Sequence, residues 1–141
     1  MRIRWLGLAL VAATALTLAA CGGGGNGDAD GNDPDGDDPG TITIAAPSGA
    51  ANTGFTPTSI AAPADAPFTL RFVNDDAGIP HNVQIFEGTD ATGTRVFAPE
   101  GNELISGVAE TDYQVPGLPA GTYTFNCLSH PATMVGTLTA G

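Results

Sequence analysis

The chain contains no lysine, and its 4 basic residues, all arginines, stand against 15 acidic residues, so that the formal net charge is −11. Binding to nucleic acid depends on clustered basic side chains that neutralise phosphates. The composition therefore argues against a nucleic-acid-binding protein. With 141 residues, the chain has room for one folded domain.

Residues able to bind a transition metal are also scarce. The chain has two histidines, two cysteines and two methionines, namely His81, His130, Cys21, Cys127, Met1 and Met134. Two histidines exclude a three-histidine zinc site and a copper oxidase with several metal centres within this chain.

The first twenty residues have the features of an export signal. Arg2 and Arg4 precede an apolar run, which is short for a membrane span and ends in the sequence Leu-Ala-Ala-Cys21. This ending resembles the lipobox of bacterial lipoproteins, which implies cleavage after residue 20 and a lipid on Cys21 that anchors the protein to a membrane. An ordinary signal peptide and an uncleaved anchor are the alternatives, and all three predict export.

Residues 22–40 form a Gly- and Asp-rich segment with six aspartates and no large apolar side chain. Such a segment cannot bury enough surface to offset its ordering entropy, so we predict a disordered tether. Calcium binding is an alternative, but the segment lacks the closing glutamate and the flanking helices of an EF-hand.

The remaining segment, residues 41–141, has the pattern of an all-β domain. Apolar and polar residues alternate in several short runs separated by Gly, Pro, Asn and Asp, and no stretch has a helical period with caps. We predict an antiparallel β-sandwich of seven or eight strands, with a longer loop over residues 88–102.

Three metal-capable side chains lie within eight residues near the end of this domain. Cys127, His130 and Met134 fall on a predicted loop between two strands, and His81 lies far away in the sequence. If the strand of His81 lies beside the strand that ends at Cys127, the four side chains meet at one end of the sandwich. Two imidazoles, one thiolate and a weak axial thioether are the ligands of a blue copper site.

The pattern resembles the cupredoxin family, of the plastocyanin and amicyanin type. The matching motifs are Pro80-His81-Asn82, Tyr123-x-Phe125-x-Cys127-x-x-His130, Met134 and the closing Val135-Gly-Thr-Leu138. The resemblance implies a Greek-key β-sandwich that holds one copper ion through His81, Cys127 and His130, with Met134 as the axial ligand. It also implies that the Asn82 amide hydrogen-bonds the ligand loop. The spacing from His130 to Met134 fits neither subfamily, which leaves the axial bond and the reduction potential open.

The same residues allow other interpretations. Cys127 could be an inert buried thiol, and Met134 could be a core residue. A nucleophilic pair of Cys127 and His130 would need an orienting group and an oxyanion site, and the sequence marks neither.

The resulting expectation is a one-electron carrier, not an enzyme, that is attached by lipid to the cell envelope. The folded domain carries nine acidic residues against two arginines, which favours a basic redox partner such as a cytochrome. A free carrier of this kind is expected to be a monomer. The alternatives are a copper delivery or storage protein and an exported β-sandwich without metal.

Overall fold

The computed structural model of the protein describes residues 40–141. The predicted signal peptide, the lipidation site Cys21 and the predicted tether up to residue 39 lie outside these residues, so these interpretations stay predictions. Within residues 40–141, no helix has the length and apolar character needed to cross a membrane.

Short strands dominate the described part of the chain. In chain order the elements are β1 (Thr41–Ala46), α1 (Ala50–Thr53), β2 (Ser59–Ala62), β3 (Phe68–Asn74), β4 (Pro80–His81), β5 (Gln84–Glu87), β6 (Arg95–Phe97), a 3-10 turn (Glu100–Asn102), β7 (Ile105–Ser106), β8 (Ala109–Val115), β9 (Gly121–Asn126) and β10 (Val135–Ala140).

The strands form two main sheets and one small ribbon. The first sheet has the order β1-β3-β8, the second has the order β2-β10-β9-β5-β6, and β4 pairs with β7. The pairings β1 with β3 and β2 with β10 are parallel, whereas the other pairings are antiparallel. The predicted β-sandwich is confirmed, but the prediction of a purely antiparallel arrangement is corrected at these two pairs.

A single apolar core joins the two main sheets. Strand β3 alternates buried and partly exposed residues along its length, as expected when one face of a strand packs on a core. The ring of Phe55 lies 6.3 Å from Phe72 of the first sheet and 5.6 Å from Phe125 of the second. The core therefore lies between the sheets, and Cys127 and Met134 are among its fully buried members.

Two local features differ from the sequence prediction. Residues 50–53 form one short helical turn, which has no side-chain cap and is too short to show a period. Residues 88–102, predicted as a loop, contain β6 and the 3-10 turn. Two of the ten strands in residues 40–141 have only two residues, which accounts for most of the excess over the predicted seven or eight.

Candidate metal centre

The loop that carries three of the candidate ligands is the connection between β9 and β10. Asn126 pairs with Val135 in the antiparallel ladder, so residues 127–134 close a compact turn between neighbouring strands. The backbone N–H of Cys127 donates to the carbonyl of Met134 at 3.0 Å. This bond holds the two ends of the loop together.

The interior of the same loop is also hydrogen-bonded. The carbonyl of His130 accepts from the N–H groups of Thr133 and Met134, at 3.3 and 2.9 Å. These bonds form a single helical turn after His130. Backbone hydrogen bonds therefore restrain the position of His130 relative to Cys127.

His81 reaches the loop through the pairing of β5 with β9. Gln84 lies opposite Asn126 in that ladder. Because the two strands are antiparallel, the segment that precedes Gln84 and contains His81 runs alongside Cys127, which follows Asn126. His81 itself pairs with Ile105 in the small ribbon. The predicted meeting of the two distant segments is observed.

The side chains of His81, Cys127 and His130 converge at this end of the sandwich. One candidate ligand atom from each residue lies within 4.8 Å of the other two. The Sγ of Cys127 lies 3.7 Å from Nδ1 of His81, and the two imidazole rings are 5.0 Å apart between centroids. His81 and Cys127 are fully buried, and His130 is partly exposed.

The donor atoms at this site fit a copper ion. Nδ1 of His130 is buried and has no hydrogen-bond partner among the described residues. Nε2 of His81 is occupied by Asp76, which leaves its Nδ1 facing the thiol of Cys127. A thiolate favours Cu(I), and imidazole suits both copper oxidation states, so one sulfur and two nitrogens match the preferences of copper.

Met134, the predicted axial ligand, is placed at the end of the same loop. It is fully buried, and its carbonyl is bonded to the N–H of Cys127. Its backbone therefore lies beside the backbones of Cys127 and His130. Coordination by its thioether stays a prediction.

Asn82 occupies the position that the sequence analysis assigned to it. It is fully buried, and its Oδ1 accepts a hydrogen bond from the backbone N–H of Leu128 at 2.9 Å. Its Nδ2 donates to the carbonyl of Glu103 at 3.1 Å. The amide thus joins the segment of His81 to the ligand loop and to the segment that precedes β7.

Asp76, which no sequence motif singled out, also lies at this site. Its Oδ2 lies 3.0 Å from Nε2 of His81, and its Oδ1 accepts a hydrogen bond from the N–H of Gly49 at 2.9 Å. The bond from Gly49 and then the bond to His81 hold the pKa of Asp76 below its ordinary value. In the sequence, Asp76 belongs to a polar run typical of a turn, and only its burial and its contact with His81 distinguish it.

The matching family model decides the classification of the fold. The model of the cupredoxin-like domain matches residues 9–140. The chain belongs to this family. No curated protein sequence matches the chain significantly.

Solved structures of auracyanins and of a plastocyanin resemble the domain in fold. Auracyanin from Roseiflexus castenholzii has 20% identity and a TM-score of 0.60, with 72% of this chain and 97% of auracyanin covered. Auracyanin A from Chloroflexus aurantiacus, a blue copper protein, has 22% identity and a TM-score of 0.59, with 72% and 98% covered. Plastocyanin from Dryopteris crassirhizoma has 26% identity and a TM-score of 0.52, with 71% and 100% covered.

Proposed function

We propose that the protein is a type 1 copper protein that carries single electrons at the cell envelope. The observation that carries this proposal is the convergence of His81, Cys127 and His130, whose ligand atoms lie within 4.8 Å of one another in a cupredoxin domain. A bound copper ion would supply the one-electron couple between Cu(II) and Cu(I).

The protein contributes a rigid set of ligands. Three separate connections restrain the site: the Cys127 to Met134 backbone bond, the Asn82 amide on Leu128, and the Asp76 carboxylate on His81. A frame held in this way keeps one geometry for both oxidation states, so an electron is gained or lost with little rearrangement.

The edge of His130 is the proposed exit for the electron. His130 is partly exposed, and it lies on the same loop as Leu128, which is 45% exposed; Ile79, two residues before His81, is 39% exposed. Pro80, Pro131 and Ala132 are also exposed. These apolar residues provide a small surface that suits a brief contact with a redox partner.

Charge is the proposed means of attracting that partner. Eight of the nine acidic residues in residues 41–141 are exposed, and only Arg71 and Arg95 oppose them. An acidic surface steers a basic partner and raises the rate of encounter. We propose a basic cytochrome-like partner, and a protein that acts as a monomer.

Stopped-flow kinetics test the carrier and its partner together. The copper-loaded protein is mixed with a basic cytochrome at increasing ionic strength, and an acidic cytochrome serves as the matched control. We expect reversible one-electron exchange whose rate falls with salt for the basic partner only. Rates that do not depend on salt would exclude steering, and tight Cu(I) binding without electron exchange would favour copper delivery.

We do not propose catalysis by this site. The thiol of Cys127 is fully buried, which favours a metal ligand over a nucleophile that must reach a substrate. A type 1 centre passes single electrons, and its ligands leave no open position for a substrate.

Attachment to the envelope through a lipid on Cys21 is part of the proposal. It rests on the signal-like residues 1–20 and the Leu-Ala-Ala-Cys21 sequence. Mass spectrometry of the protein isolated from membranes tests it, with Cys21→Ser as the control. We expect a lipid mass on a chain that begins at Cys21, and release of the variant from the membrane.

A further inference from the structure

Asp76 differs from every other carboxylate in the described part of the chain. Eight of the nine acidic residues in residues 41–141 are exposed, whereas Asp76 is buried, with 7% of its surface accessible. A buried carboxylate is costly unless its oxygens are hydrogen-bonded. The partners of Asp76 therefore indicate why it is placed there.

Both oxygens of Asp76 are engaged, and by different parts of the molecule. Oδ1 accepts from the N–H of Gly49, which precedes α1, and Oδ2 faces Nε2 of His81 at 3.0 Å. The N–H of Asp76 itself donates to Oδ1 of Asn74 at 3.0 Å. The carboxylate is thus held by two contacts, and the backbone of the same residue is held by a third.

Asn74 extends this network around the segment that leads to His81. It is fully buried, and its Nδ2 donates to the carbonyls of Ile79 and Ile105 at 2.9 and 2.7 Å. The segment between β3 and β4 is therefore closed into a fixed loop. Asp76 points from this loop at His81.

The contact fixes which nitrogen of His81 carries the proton. An ionised carboxylate only accepts hydrogen bonds, so Nε2 is the donor in this contact, and in a neutral imidazole Nδ1 then keeps its lone pair. That Nδ1 faces Sγ of Cys127 at 3.7 Å. In a neutral imidazole, a carboxylate on one nitrogen thus prepares the other nitrogen to bind a metal.

We propose that Asp76 is a positioning residue for the copper site, which holds His81 in the Nε2-protonated tautomer and stabilises the oxidised metal through its negative charge. The second half of this inference rests on the proposed function. The first half concerns the metal-free protein and can be tested separately.

The neighbouring residue Asp75 offers a matched control. Asp75 is exposed, adjacent in sequence and of the same charge. Asp76→Asn keeps the shape of the side chain but replaces one oxygen with an NH2 donor. Since Gly49 and His81 contact different oxygens of Asp76, one of the two then loses its acceptor. Asp76→Ala removes both acceptors, and Asp75→Asn removes an equal charge without touching the network.

The first experiment is ¹⁵N NMR of the histidines in the metal-free protein, in alkaline solution so that neutral tautomers are compared. We expect one Nε2-protonated form of His81 in the wild type and in Asp75→Asn, and a mixture of tautomers in Asp76→Ala. An unchanged single tautomer in Asp76→Ala would overturn the positioning role, whether or not the protein binds copper.

The second experiment measures the reduction potential and the Cu(II) affinity of the copper-loaded variants. We expect Asp76→Asn to have a higher potential than Asp75→Asn and a Cu(II) affinity about 10- to 100-fold lower than the wild type. Equal potentials in the two variants would overturn the effect of charge through His81. A wild type without a blue copper spectrum would instead count against the proposed function and leave the tautomer result standing.

Discussion

The Oδ1 atom of Asn82 accepts a hydrogen bond from the backbone N–H of Leu128 at 2.9 Å, across 46 positions of sequence. Through this bond and the bond from Nδ2 to the carbonyl of Glu103, one buried amide connects the His81 segment with the ligand loop. The distance between His81 and Cys127 therefore depends on Asn82 even when no metal is bound.

We predict that Asn82→Ala destabilises the metal-free protein by about 1–3 kcal/mol, because a fully buried amide is removed and the N–H of Leu128 and the carbonyl of Glu103 lose partners in part-buried hydrogen bonds. Chemical denaturation measures this loss. The control is Gln114→Ala, which removes an exposed amide hydrogen-bonded to Thr69 and should change stability by less than about 0.5 kcal/mol. Equal losses in both variants would contradict the linking role of Asn82.

A second prediction concerns the close approach at Gly136 in β10. A Cβ added there would clash with the ring of Phe125 and lie 2.6 Å from the carbonyl oxygen of Thr58. We expect Gly136→Ala to lower the free energy of unfolding by about 1–3 kcal/mol, because a packed core resists added volume. The matched variant Gly121→Ala, whose Cβ would meet Tyr123 at an ordinary 3.7 Å, should not share this overpacking cost.

A third prediction concerns Tyr113, whose buried hydroxyl has no hydrogen-bond partner among the described residues. Burial raises the pKa of Tyr113 above its ordinary value, and the charges of Glu103 and Cys127 raise it further. Above pH 10 the unfolded chain therefore releases this proton while the folded protein retains it. Stability must then fall as pH rises, by up to about 1.4 kcal/mol per pH unit from this group.

The variant Tyr113→Phe tests directly whether this hydroxyl makes stability fall as pH rises. Urea denaturation at neutral and alkaline pH should show a smaller alkaline loss of stability in the variant than in the wild type. At neutral pH the variant should lose little, because it removes an unpaired hydroxyl and keeps the ring that stacks on Phe72. Identical alkaline losses in both proteins would show that Tyr113 does not titrate in this way.

The fourth prediction tests the axial role of Met134. Met134→Leu conserves the volume of a fully buried side chain, so it should cost the metal-free protein less than about 1.5 kcal/mol. If the thioether is a weak ligand, the variant loses a donor that stabilises Cu(II), and its reduction potential should rise. Potentiometry of the copper-loaded protein measures this. An unchanged potential and spectrum would assign Met134 to the core alone.

Local pattern was sufficient to predict many of the strands and the three side chains that converge. In β3, the alternation of apolar and polar residues matches the alternation of burial, because one face of the strand packs on the core. The residue types and spacing of Cys127 and His130 predicted a loop between adjacent strands, and the ladder from Asn126 to Val135 places it there.

Features that depend on distant contacts were not predicted. In β9, Thr124 and Asn126 are buried, although they alternate with the buried apolar residues Tyr123 and Phe125. The hydroxyl of Thr124 donates to the carbonyl of Gly88, which lies in a segment predicted only as a loop. The parallel pairs β1–β3 and β2–β10 depend on the tertiary arrangement of the chain and not on any local signal. The role of Asp76 was hidden for the same reason, since its sequence neighbourhood is that of an ordinary turn.

The most direct test of a type 1 copper site is the visible absorption spectrum with Cu(II). It is recorded for the wild type and for Cys127→Ser. We expect an intense blue band from the bond between Cu(II) and the thiolate, present in the wild type and lost in the variant. A colourless wild type that binds neither copper oxidation state would contradict the account and leave a cupredoxin-like domain without a type 1 centre.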